Sequence, residues 1–228
     1  MVESEQPEQA EETLFSVERL TFFSDAVVAI AMTLLALELP VPGADARLPV
    51  SNHQLLQDVV SYPARDTYLA FLISFVVIAR SWTGHHQLFG YVRTLAPGLM
   101  RWNLLWLLMI VITPFATKVL TLNGAFETRF ILYAAVQALS GIFFALMVRS
   151  IARGGVLKEA APPDLVPSSC WRLLGFAAAF LISIPVALVT HWAYVCWATI
   201  PFLSSLARRI WQSRPGHQQP AEDPTIKT

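Results

Sequence analysis

The sequence predicts an all-α integral membrane protein with six transmembrane helices per chain. Three observations predict it. Of the 228 residues, 55% are hydrophobic and only 14% are charged, against roughly 25% charged in an ordinary soluble domain. A soluble chain of this length needs a polar coat that these residues cannot make. The apolar residues also gather into runs near the ~20 that a helix needs to cross a ~30 Å hydrocarbon core. The alternating polar and apolar pattern of a membrane β-barrel is absent from those runs. In lipid each backbone polar group must be paired within its own segment, so the runs are helices.

The first run spans Leu20 to Leu39 and is broken only by Asp25 and Glu38. The second covers about Tyr68–Trp82, the third Leu104–Leu122 and the fourth Phe130–Val148. The fifth covers Leu173–Val189 and the sixth Trp192–Leu206. The second and sixth are short, and borrow a flanking turn or lie where the bilayer is thin. An outer loop is expected over Pro40–Pro63, and an inner linker over 154–169, where Gly154, Gly155, Pro162, Pro163 and Pro167 cluster. Residues 1–17 read as an acidic disordered tail with no secretory signal, since a signal opens on basic residues. Residues 18–211 read as one six-helix domain, and 212–228, rich in Pro and Gln, as a second disordered tail.

Orientation follows from lysine and arginine. With the N-terminus inside, twelve basic residues face inward and only Arg47, Arg65, Lys118 and Arg129 face outward, out of 16. The bias places both termini in the cytoplasm, which requires an even number of spans. Net charge is zero, so there is no basic footprint for nucleic acid. The two cysteines, Cys170 and Cys196, lack metal or redox spacing. No nucleophile with a base and no phosphate cradle is present, so an enzyme is not expected. No cofactor is expected either.

The first run carries the strongest signal. An aspartate within a membrane helix is unfavourable, so Asp25 must face protein or water and find partners. On a wheel of about 100° per residue, Ile30, Leu34 and Leu37 fall within about 60° of arc, and Asp25 lies about 140° from Ile30. The aliphatic stripe and the acid therefore face different neighbours. His85, His86, Trp82 and Asn103 fall near the same membrane face as Asp25 and are its candidate partners. His85 and His86 are adjacent, so they point to different sides of a helix, and no third ligand sits at metal spacing. Glu38 reads as a solvated helix end.

The pattern Arg19-x-x-x-Phe23-Ser24-Asp25, followed by Ala-x-x-Ala-Ile30-x-x-Thr33-Leu34, resembles the signature of the transmembrane protein 175 family of potassium channels. Trp82-x-x-His85-His86-x-Leu88-Phe89 and Asn103-Leu-Leu with Pro114-Phe115-Ala-Thr117 are similar too. The resemblance covers roughly residues 15–210 and implies one six-helix repeat, a homotetramer in a bacterial-type plasma membrane, and a pore lined by the first helix. It implies a constriction at Ile30, Leu34 and Leu37, with Thr33 as an adjoining polar layer and potassium as the permeant ion. No Thr-Val-Gly-Tyr-Gly filter is present; Phe89-Gly90-Tyr91 lies beside charged residues in a linker. Arg19, Phe23, Ser24 and Asp25 are read as an interhelical network rather than as ion ligands. A secondary transporter is the alternative. It would want inverted repeats and helices broken at the midplane; Pro114 and Pro185 could break helices, but no repeat is visible.

Overall fold

The computed structural model describes residues 5–41, 51–190 and Trp197, with the side chains of 5–16 and 62–64 left aside. The described residues form six helices: α1 (Glu5–Leu37), α2 (Asn52–Val60), α3 (Tyr62–Phe89), α4 (Leu99–Leu120), α5 (Phe126–Gly154) and α6 (Leu165–Ala187). Five have segments long and apolar enough to cross a membrane: Val17–Leu37, Arg65–Phe89, Leu99–Leu120, Phe126–Gly154 and Leu165–Ala187. They coincide with the first five runs. The sixth run, Trp192–Leu206, lies outside the described residues except for Trp197, as do Cys196 and the tail 212–228.

The helices outrun the apolar runs at the end of the bundle where α3 and α5 finish and α4 and α6 begin, while at the other end α1, α4 and α6 stop two residues short of them. A hydrophobic run measures the hydrocarbon crossing, whereas a helix continues until a breaker or an unsatisfied end stops it. α3 runs seven residues past Trp82 to Phe89, and α6 begins at Leu165 rather than Leu173. Pro167, read as linker, occupies the first turn of α6, where its missing N–H has no helical acceptor to lose. α1 begins at Glu5, inside the stretch 1–17 read as a disordered tail; its Glu, Gln and Ala are good helix formers, and acids suit a helix N-terminus. Within the expected outer loop, α2 opens on a capping box. The Ser51 hydroxyl accepts from the Gln54 amide, and the Gln54 side chain accepts from the Ser51 amide.

α5 is the centre of the bundle, packed against α4 on one side and α6 on the other, while α1 lies across α4 and α3. Gly141 makes the α5–α6 crossing close. A Cβ there would lie 3.1 Å from Phe176 Cδ1, 3.2 Å from Ala177 Cβ and 3.4 Å from the Leu173 carbonyl oxygen. Small residues at a crossing let two backbones approach in lipid, where association rests on packing. Near the start of α5 and the end of α6, Trp197 stacks on Phe130 at 4.6 Å and donates its ring N–H to the Ser183 hydroxyl at 3.0 Å.

At the end of the bundle where α3 and α5 finish, the α3–α4 and α5–α6 linkers are joined by an antiparallel bridge, Val92 to Leu157. The Arg93 amide donates to Val156 O and the Lys158 amide to Tyr91 O, both at 2.8 Å. The Lys158 ammonium adds a bond to Gly90 O at 2.9 Å. At the opposite end of the bundle, Lys118 Nζ lies 2.7 Å from Glu38 Oε2 and ties the end of α1 to α4. Glu38 is therefore an ion-paired helix end rather than a simply solvated one.

Candidate functional site

α1 has two faces, and its packing against α4 and α3 sets which is which. Ser24, Val28, Ala31 and Leu35 are buried. From Ser24, steps of about 100° place the other three within about 40° of it, so they form one stripe. Ile30 falls about 120° round from Ser24. Accordingly Ile30 is 59% exposed, Leu34 40% and Leu37 78%, while Val28 is 1% exposed. Thr33 is on the exposed face as well, its hydroxyl donating to Ile30 O at 2.8 Å. The aliphatic stripe is thus uncovered within one chain.

Ser24 is what fixes this rotation. Its hydroxyl donates to Leu20 O at 2.8 Å, so its oxygen is left to accept from Asn103 Nδ2 at 2.9 Å. That turns the Asn103 Oδ1 toward His85 Nε2, at 2.8 Å. An amide oxygen can only accept, so His85 Nε2 carries the proton. The chain His85 to Asn103 to Ser24 to Leu20 O is then directional and complete, and joins α3, α4 and α1 in the interior. The His85 ring is clamped between Phe89 at 4.1 Å and Trp106 at 4.5 Å, the latter nearly parallel at 6°. Trp106 in turn donates its N–H to the Ser81 hydroxyl at 3.1 Å. His85 Nδ1 is buried with no hydrogen-bond partner among the described residues.

Asp25 belongs to a second, separate set. Its Oδ1 accepts from Trp82 Nε1 at 2.8 Å, and its Oδ2 lies 3.6 Å from His86 Nδ1. The Asp25 side chain is 28% exposed and that of His86 59%. Trp82 and His86 are in ring contact at 5.7 Å. The four candidate partners of Asp25 are therefore divided: Trp82 and His86 go to Asp25, while His85 and Asn103 go to Ser24. Ser24 and Asp25 are neighbours in sequence and so point about 100° apart, as do His85 and His86. Each neighbouring pair thus serves both sets. Arg19 and Phe23 lie on the exposed surface of α1.

A third polar cluster joins Thr117, from the Pro114–Thr117 stretch, to Ser74, Thr113, Tyr133 and Gln137, which were not singled out in the sequence. The Thr117 hydroxyl lies 2.8 Å from both Ser74 Oγ and Thr113 O, Ser74 Oγ lies 3.0 Å from the Tyr133 hydroxyl, and Gln137 approaches Thr113. It ties α3, α4 and α5 together. Polar residues spaced four apart, Thr113 and Thr117 beside Pro114, are the signal that marks it. Pro114 leaves a helical carbonyl without its usual donor, and polar side chains gather near such breaks in membrane helices. None of these buried groups faces the Ile30 stripe, so they act as interhelical glue.

The sequence profile of the family described as endosomal/lysosomal potassium channel TMEM175 matches residues 19–114. Those residues contain both faces of α1 and both polar sets, the one on Ser24 and the one on Asp25. A potassium channel of Chamaesiphon minutus is 35% identical over 161 residues, covering 70% of this chain and 71% of that one. A potassium channel of Streptomyces collinus is 40% identical over 102 residues, and the match spans 46% of its length. The solved structure of a lysosomal potassium-selective channel TMEM175 homologue from Chamaesiphon minutus aligns with a TM-score of 0.67 at 25% identity, over 85% of this chain and 97% of that one. By sequence and by fold, the chain belongs to the TMEM175 family of potassium channels.

Proposed function

We propose that the chain is one subunit of a homotetrameric, potassium-permeable channel, with α1 of each copy around the central pore and Ile30, Leu34 and Leu37 forming its constriction. The observation that carries this reading is the uncovered aliphatic stripe on α1, beside a fully packed opposite face. One chain with α1 as its pore-lining helix cannot enclose a pore; several copies arranged about an axis can. Relatives named as potassium channels supply the expected ion.

A ring of isoleucine and leucine side chains is a hydrophobic constriction. When narrow it dewets and blocks current, and when widened it passes an ion with part of its water. Selection then depends on size and residual hydration, giving weak to moderate preference for potassium. Thr33 adds a hydroxyl oxygen, free to accept, between the Ile30 and Leu34 layers; its proton is held by Ile30 O. Ser24, Asn103, His85, Asp25, Trp82 and His86 are positioning residues that set the rotation of α1. Both termini lie in the cytoplasm on the positive-inside bias.

Two measurements test the reading. Purified protein in a planar bilayer should give discrete current steps under a potassium gradient; a carrier or an enzyme gives none. A cysteine introduced at Leu37 should crosslink between subunits. A monomeric mass in both detergent and lipid, without current steps, would overturn the proposal.

A further inference from the structure

A second feature lies between α4 and α5, with no residue of α1 in its lining, and is independent of whether the chain conducts. Where the start of α4 meets the end of α5, a cavity of about 350 Å³ opens, and Arg101, Arg149 and Arg153 converge on it. Trp102, Ser150 and Pro97 complete the wall, and no carboxylate lines it. Arg149 and Arg153 are four residues apart and share one face of α5. Arg101 is held over the Trp102 ring, its Cζ 4.4 Å from the centroid. The Ser150 hydroxyl is committed to Pro97 O at 2.7 Å, so the donors facing the cavity are the guanidiniums. Among the described residues none of the three arginines makes an ion pair.

Three like charges around one cavity repel one another, and an anion between them removes that repulsion. The place of the cavity at the helix ends selects the anion. The first turn of α4 and the last of α5 end at the same membrane face, and a tryptophan stands at their junction, as aromatic residues do at headgroup level. Basic pockets between helices at this level suit anionic headgroups. Guanidiniums match phosphate with paired N–H donors. Leu146 and Trp102 provide an apolar flank along which an acyl chain can lie, which a free phosphate would not use.

We propose that the Arg101–Arg149–Arg153 cavity binds the headgroup phosphate of an anionic phospholipid, with one site per chain. The test is native mass spectrometry of the purified full-length protein incubated with equal amounts of phosphatidylglycerol and phosphatidylcholine. The wild type should retain phosphatidylglycerol preferentially. At roughly fivefold per arginine near a membrane surface, R101Q/R149Q/R153Q should weaken that preference by about a hundredfold. R153Q alone, in the exposed last turn of α5, should weaken it about fivefold and keeps the test readable where the triple variant does not fold. R101K/R149K/R153K should restore part of the preference. Equal retention of both lipids by the wild type would overturn the proposal. So would an unchanged preference in R101Q/R149Q/R153Q and in R153Q. Stripping of phosphatidylglycerol from the wild type by excess inorganic phosphate, as complete as the triple substitution achieves, would identify a site for free anions and overturn it as well.

Discussion

Asn103 bridges Ser24 and His85: its amide nitrogen donates to the Ser24 oxygen at 2.9 Å, and its amide oxygen faces His85 Nε2 at 2.8 Å. All three residues are fully buried. One side chain on α4 thereby holds α1 and α3 at a fixed rotation.

Asn103→Leu keeps the volume and removes both bonds. The His85 N–H is left as a buried donor without an acceptor, at about 1–3 kcal/mol. The purified variant should unfold at lower temperature in detergent, and its yield should fall. An unchanged melting temperature would show that the bridge does not support the fold.

Asp25→Ala should be milder. Breaking a fully buried charge pair typically costs about 3–5 kcal/mol. Here Asp25 is 28% exposed and His86 59%, so water and headgroups reach both. Trp82 also lies at the surface and can find another acceptor. The expected loss is about 0–1 kcal/mol. A melting temperature for Asp25→Ala below that of Asn103→Leu would reverse the ranking and make the more exposed set the principal anchor.

The division between these two sets was only partly legible in the sequence. Asp25 demanded partners because a membrane acid is unfavourable alone, and the wheel separated it from Ile30. Four partners near one membrane face could be named. Which two it takes depends on the axial register of α3 against α1 and α4, and a single helix wheel carries no such information. The five described spans were legible as apolar runs because lipid demands them. The helix ends were not: Thr83–Phe89 is helical beyond the apolar run, and Pro167 sits in a first turn, where a proline permits a helix as readily as it ends one. The Glu38–Lys118 pair was missed because its members lie 80 residues apart on separate helices.

Gly141→Val tests the α5–α6 crossing. The added side chain starts 3.1 Å from Phe176 and meets the Leu173 backbone at 3.4 Å, which cannot yield as a side-chain tip can. Overpacking of this kind costs about 1–3 kcal/mol. Gly175→Ala, on the same helix pair but with nothing within 4 Å of its Cβ, should be neutral or slightly stabilising. Equal melting temperatures for the two variants would mean that the crossing tolerates separation.

Glu38 and Lys118 should couple weakly. Both side chains are partly exposed, at 37% and 57%. A double-mutant cycle with Glu38→Gln and Lys118→Gln should return a coupling of about 0.2–1 kcal/mol, reduced further by salt. A coupling above that range would show that the pair is shielded, as it would be inside an assembly.

The central claim is that the exposed face of α1 lines a pore, and the most direct test compares Ile30→Asn with wild type. Ile30 is exposed within the chain, so an asparagine there leaves no buried group unpaired, and the variant should fold and assemble. Val28→Asn, on the buried face, puts an amide into a packed interface and should lower yield instead. With purified protein between potassium and sodium solutions, the reversal potential reads the permeability ratio. Ile30→Asn adds a hydrogen-bonding group to each wall of the constriction and eases its wetting. The account predicts larger conductance and a reversal potential shifted toward zero, because potassium and sodium are then less well distinguished. An assembled Ile30→Asn protein with the conductance and reversal potential of wild type would contradict it, and α1 would not form the constriction at this residue.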